Sequence, residues 1–167
     1  MEHLIQNLQK RRLGVLYILK MIPVRIWNWR PEPKLRTTAE LATHLAASPM
    51  MLWEAFQGKI PDEETYVKTE KARQPNSAQG LVALYEDGLA KLVSYLKAHL
   101  NDSHEKTIQF FYHDQKSSIY EEVFNEIGHQ WFHLGQLFVY LRQNTVNVDM
   151  GAYYGYKDPD PTVSPQK

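Results

Sequence analysis

Apolar residues recur at helical spacing in four long segments of the chain. The segments span residues 2–22, 38–57, 77–99 and 118–144, and each is longer than a typical strand. Steps of three, four and seven residues place the apolar side chains on one face of each helix. The four stripes are Leu4, Leu8, Val15, Leu19 and Ile22; Leu41, Leu45, Leu52 and Phe56; Leu81, Leu84, Tyr85, Leu92, Tyr95 and Leu96; and Ile119, Val123, Ile127, Leu134, Leu137 and Leu141.

Local signals mark where these helices begin and end. Thr37 with Glu40, and Ser118 with Glu121, have the spacing of a capping box. Pro23 closes the first segment because proline cannot continue a helix. The pattern therefore predicts an all-α protein in which four helices form one antiparallel bundle over residues 1–157.

The connections between the helices are long for a simple bundle. They permit crossovers, and long connections often act as lids or binding loops. Residues 31–36 are polar and contain proline, residues 60–76 are charged, and residues 107–112 are the best, though short, strand candidate. Residues 158–167 are predicted to be a disordered tail.

Composition narrows the possible functions. A chain of 167 residues fits one domain, and a hydrophobic fraction of 43% argues against global disorder. Nineteen basic residues balance nineteen acidic ones, so no charge favours nucleic acid or an anionic membrane as a partner. We find no membrane-length apolar run and no signal-peptide pattern, which fits a cytoplasmic protein. The chain lacks cysteine, so any metal must be bound by His, Asp or Glu.

Three histidines form the strongest candidate site. His129 and His133 are four residues apart, so they stack one turn apart on the flank of the fourth helix. His44 lies on the buried side of the second helix, where an imidazole needs a polar partner. A divalent ion held by all three would be that partner, with coordination positions left open. The alternatives are a solvated histidine pair and a hydrogen-bonded core histidine.

His129 and His133 have the spacing of a zincin protease, but Gln130 stands where that motif needs a glutamate base, so we exclude the protease. His113, in the third connection, could reach the site.

Two stretches around these histidines resemble the sequence motifs of a known family. One is Trp-Arg-Pro-Glu-Pro at 29–33 followed by residues 36–45, and the other is His-Gln-Trp-Phe-His-Leu-Gly-Gln-Leu at 129–137. Together with the four-helix layout they resemble the DinB/YfiT-like family of helical-bundle metal proteins. One departure is Leu134, where relatives often carry arginine.

The resemblance implies an up-down-down-up bundle and a divalent metal on His44, His129 and His133. Zinc or nickel is the first expectation, with iron and manganese as alternatives. It also implies frequent homodimers, and some relatives are transferases or isomerases that use bacillithiol or mycothiol. A metal-dependent thiol S-transferase or related hydrolase is therefore one hypothesis. The other is a non-catalytic stress-response or small-molecule binding module.

Two side chains near the triad are candidates for chemistry. Glu126 lies on the same flank as His129 and could act as a catalytic base or orient a histidine, or it could be a solvated carboxylate. Gln136 could bind substrate, or it could be a polar spacer.

Three aromatic residues recur every seven positions on the opposite flank of the fourth helix. Phe124, Trp131 and Phe138 would form a row too apolar to leave in water, which suggests a homodimer. Packing of the row against another helix of the same chain is the alternative.

Overall fold

The computed structural model describes residues 1–60 and 62–156, which are mostly helical. Their α-helices are α1 (Glu2–Lys20), α2 (Thr38–Ala55), α3 (Glu63–Ala72), α4 (Ala78–Ala98), α5 (Ile119–Gln143) and α6 (Met150–Tyr153), and a 3-10 helix spans Val24–Ile26. The tail predicted for 158–167 lies outside the described residues.

The four long helices enclose the hydrophobic core. α2 packs on α4 and α5, and α1 packs on the same two helices. The predicted stripes supply much of this core, and Leu8, Leu45, Leu92 and Leu134 are completely buried. The mostly helical fold is thus confirmed, whereas the up-down-down-up order stays a prediction. In the described part of the chain, no helix has the length and apolarity to cross a membrane.

A very short antiparallel sheet precedes α5. Strands β1 (Thr107–Ile108) and β2 (Ser117–Ser118) pair, with Thr107 opposite Ser118. The strand candidate at 107–112 therefore contributes only its first two residues, and the all-α prediction needs this small correction. The sheet closes the loop that leads into α5.

Capping boxes fix the start of both helices that carry the histidines. The Thr37 hydroxyl accepts from the Glu40 backbone at 3.1 Å, and the Glu40 carboxylate accepts from the Thr37 backbone at 2.7 Å. Ser118 and Glu121 repeat both contacts at the start of α5. Both predicted caps are confirmed, so the register of α2 and α5 is set by local sequence.

The charged connection 60–76 contains a helix, α3, that the apolar pattern did not predict. The Asp62 carboxylate caps it by accepting from the Thr65 backbone at 2.7 Å. No residue of α3 is fully buried, so it has no apolar stripe. Arg73, just after α3, donates to both carboxylate oxygens of Glu54 on α2, at 2.8 and 2.7 Å. This ion pair ties α3 to the helix that carries His44.

The chain after α5 folds back onto α1 and covers part of the predicted dimer face. Tyr153 of α6 is buried, and its carbonyl approaches Gly14 so closely that a Cβ there would clash. Trp131 and Phe138 contact the Tyr153 ring at centroid distances of 6.2 and 5.3 Å. Phe124, in contrast, is 64% exposed. Packing within the chain therefore accounts for two of the three aromatic residues, and the homodimer stays a prediction.

Candidate metal centre and its cavity

Three imidazole rings from two helices meet at one point. His44 comes from α2, whereas His129 and His133 lie one turn apart on α5. The ring centroids are 4.8 Å apart for His44 and His129, 4.5 Å for His44 and His133, and 4.4 Å for His129 and His133. One nitrogen from each ring lies within 4.8 Å of the others. His44 and His133 are buried, and His129 is half-buried.

The Nδ1 atom of each ring faces a side-chain oxygen. His44 Nδ1 contacts Glu70 Oε2 of α3, and His133 Nδ1 lies 2.7 Å from Gln136 Oε1. His129 Nδ1 is 3.5 Å from Glu126 Oε2, which is longer than an ordinary hydrogen bond. Oxygen acceptors favour the tautomer with hydrogen on Nδ1, so the Nε2 lone pairs are left for a ligand.

The Nε2 atoms of His44 and His129 are only 2.9 Å apart. One ring could carry a proton there, but both Nδ1 atoms already face carboxylates. Two unprotonated nitrogens at this distance repel unless a cation lies beside both. Two ligands that are each about 2 Å from an ion lie about 3 Å apart. The donor set therefore fits a divalent metal ion.

His133 is held in the form that a metal requires. Burial, together with the neighbouring His129 and His44, lowers the pKa of His133 to about 4. The ring is therefore neutral near neutral pH, and a neutral imidazole can donate its lone pair to a metal.

A buried chain of hydrogen bonds supports Glu126. Its Oε1 accepts from Ser48 Oγ at 2.6 Å and from Gln130 Nε2 at 2.7 Å, and the Tyr85 hydroxyl donates to Gln130 Oε1 at 3.0 Å. Burial alone would raise the pKa of Glu126, but His129 and these two donors outweigh it, so the pKa is lowered. Glu126 is therefore an ionised carboxylate that faces His129.

Glu70 is a further, partly buried carboxylate that the sequence did not indicate. Burial opposes its ionisation, but His44, Arg36 and Tyr66 more than compensate, so the pKa of Glu70 is lowered. Arg36 lies 3.7 Å away. Glu70 was not predicted because α3 has no apolar stripe. The capping residue Asp62 is the sequence signal that could have indicated this helix.

The two predicted side chains lie next to the triad. Glu126 is beside His129, and its role as base or orienting group stays a prediction. The Gln136 oxygen already faces His133, so only its amide nitrogen is left for a substrate. Substrate binding by Gln136 likewise stays a prediction.

A cavity of about 540 Å³ opens beside His44 and His129. Its volume is in the range of small-molecule sites. α3 forms one wall with Glu63, Tyr66 and Val67, and residues 110–113 form another. His113 lines the cavity, but it contacts Glu122 rather than the triad that the sequence suggested it could reach.

A family model described as the DinB superfamily matches residues 7–137, which is most of the chain and includes all three histidines. The chain belongs to the DinB superfamily. The resemblance inferred from the sequence is thereby confirmed. The match ends within α5, so α6 and the packing of Tyr153 on α1 lie beyond it.

Two solved structures resemble this DinB-superfamily chain. A DinB-like protein from Bacillus cereus ATCC 10987 has a TM-score of 0.71 and 18% identity, over 89% of this chain and 95% of the other. A DinB-like protein from Bacillus subtilis has a TM-score of 0.64 and 16% identity, over 87% and 94%. At such identities the likeness establishes the fold alone. The search of curated proteins gave no match.

Proposed function

We propose that this chain is a metal-dependent enzyme that acts on a small organic substrate, with His44, His129 and His133 as the ligands of a divalent ion. The observation that carries the proposal is the approach of two Nε2 atoms to 2.9 Å beside a cavity of about 540 Å³. A thiol S-transfer or a related hydrolysis is the reaction that we propose. The up-down-down-up bundle order belongs to the same proposal.

The chain's own residues would position ligands and substrate. Bound at the triad, a divalent ion supplies Lewis acidity, which lowers the pKa of a thiol or a water. Glu70 and Gln136 hold His44 and His133 with Nε2 towards the common centre, and Glu126 faces His129 at 3.5 Å. Apolar side chains of the cavity exclude water from the substrate, and Tyr66 of α3 lies over His44 at a centroid distance of 6.4 Å.

Elemental analysis of untagged protein tests the metal site. We expect about one divalent ion per chain, which a single three-ligand site would bind. H44A should lose the ion with little loss of helicity. H104A is the control because His104 stacks on Tyr120, away from the triad. Unchanged metal content in H44A, or an equal loss in H104A, would refute the site.

A conjugation assay tests the reaction. Bacillithiol or mycothiol is supplied with a small electrophile, and thiol consumption is followed with and without a chelator. We expect turnover that is lost with the chelator, restored by metal, and absent in H44A. Metal binding without turnover for either thiol would favour the alternative, a non-catalytic binding module.

A further inference from the structure

A buried carboxylate lies at the end of the cavity away from the triad. Glu122 is only 2% exposed, although it lines the cavity. Its Oε1 accepts from the Ser117 hydroxyl, and His113 Nε2 is 3.5 Å from the same oxygen. Oε2 accepts no hydrogen bond from the described residues. This oxygen is therefore available to a cation or a strong donor in the cavity.

The described residues place no permanently charged cation beside Glu122, and the basic side chain in contact with it is His113. Among them, no lysine or arginine lies within ion-pairing distance of Glu122. The guanidinium that lines the cavity belongs to Arg36, which is 3.7 Å from Glu70 and so lies at the triad end. Glu126 and Glu63 also line the cavity and add negative charge.

The walls between the two ends are apolar and aromatic. Met51, Leu52 and Ile60 line one part, and Phe110 to Tyr112 line another. Burial raises the pKa of the Tyr112 hydroxyl, and the Glu122 and Glu126 carboxylates raise it further. The cavity thus joins an apolar body to a negative end, and aromatic faces also attract cations.

We propose that the cavity binds a small organic amine, with the protonated amino group on Glu122 and the apolar body towards the triad. Glu122 and His129 are seven residues apart on α5, so they are separated by about 10 Å along the helix axis. A compact arylalkyl amine spans this distance. The inference names the substrate class for the proposed function, but binding at Glu122 needs no metal.

Isothermal titration calorimetry on the full chain tests the proposal. The probes are hexylamine, 2-phenylethylamine and tryptamine, all protonated at pH 7 because aliphatic amines titrate near pH 10. The uncharged 2-phenylethanol and the anionic 3-phenylpropanoate are the comparisons. We expect at least one amine to bind about tenfold or more tightly than either comparison. Equal binding of the alcohol, or no amine binding below about 10 mM, would overturn the proposal.

Two matched variants locate the binding. E122Q keeps an oxygen that can accept from Ser117, so it should fold, and it should weaken amine binding about tenfold or more. E64Q removes an exposed carboxylate of α3 that does not line the cavity and should bind amines like the wild type. Retained affinity in E122Q, with its fold confirmed by circular dichroism, would overturn the assignment to Glu122.

The H44A variant separates this inference from the proposed function. It should lose metal yet keep amine binding, because Glu122 does not contact the triad. Metal binding without amine binding in the wild type would refute the amine site alone. Amine binding without metal would instead refute the metal centre.

Discussion

Replacing Glu70 by glutamine removes the carboxylate charge that faces His44 but keeps the shape of the side chain. The amide oxygen can still accept from His44 Nδ1, so the ring should keep its orientation. What E70Q loses is the negative charge of Glu70, which makes the His44 imidazole a stronger metal ligand. E70Q therefore tests whether α3 contributes to metal affinity.

The structure sets the expected size of the effect. Loss of such a partner typically weakens metal binding 10- to 100-fold, or about 1.4–2.8 kcal/mol. E70Q should fall in the upper part of this range, because the Glu70 side chain is 14% exposed and contacts the ring directly. E126Q should fall in the lower part, since Glu126 lies 3.5 Å from His129.

Zinc titration of metal-free protein in competition with a chromophoric chelator measures these affinities. E54Q is the matched control, because Glu54 is also 14% exposed and also ties α3 to α2, through Arg73. E54Q should bind zinc like the wild type. Affinity of E70Q within about twofold of the wild type would refute the reasoning. An equal loss in E54Q would assign the effect to the docking of α3 instead.

Three further predictions concern packing, capping and assembly. A Cβ on Gly88 would lie 2.7 Å from the Met50 backbone nitrogen, so G88A should lower the free energy of unfolding by about 1–3 kcal/mol in urea titrations. Gly128 has open space around it, so G128A should raise that energy by about 0.5–1 kcal/mol; similar values for both would contradict the close approach. T37A removes a cap and should cost about 1 kcal/mol by the same titration; an unchanged midpoint would show that the cap is dispensable. Sedimentation velocity at micromolar concentration should show a homodimer that F124S dissociates, whereas a monomeric wild type would refute it.

The long helices were predictable because their signals are local. The fourth helix was expected at 118–144 and spans Ile119–Gln143, since a capping box starts it and one apolar stripe runs through it. The first was expected to reach residue 22 but ends at Lys20, two residues short of Ile22. Periodicity places a stripe well but determines a helix end poorly.

The candidate site was predictable only in part. The four-residue spacing predicted that His129 and His133 share one face of a helix. The buried position of His44 indicated that it could join them in one site. Glu70 could not be predicted from the sequence, because it lies 26 residues from His44 along the chain and on a helix without a buried face. α3 is positioned by contacts with distant residues, such as Arg73 with Glu54, and periodicity carries no information about these.

Charge balance links the triad to the cavity beside it. Three neutral imidazoles offer a divalent ion no charge, but Glu70 and Glu126 lie directly behind two of them and together carry two negative charges. These carboxylates can offset the positive charge of the ion, because a buried charge is tolerated when it is paired with an opposite one. Glu122 is not part of this compensation, because its contacts are with Ser117 and His113. Its charge is therefore not used to offset the metal, and the protonated amine proposed above would pair with it.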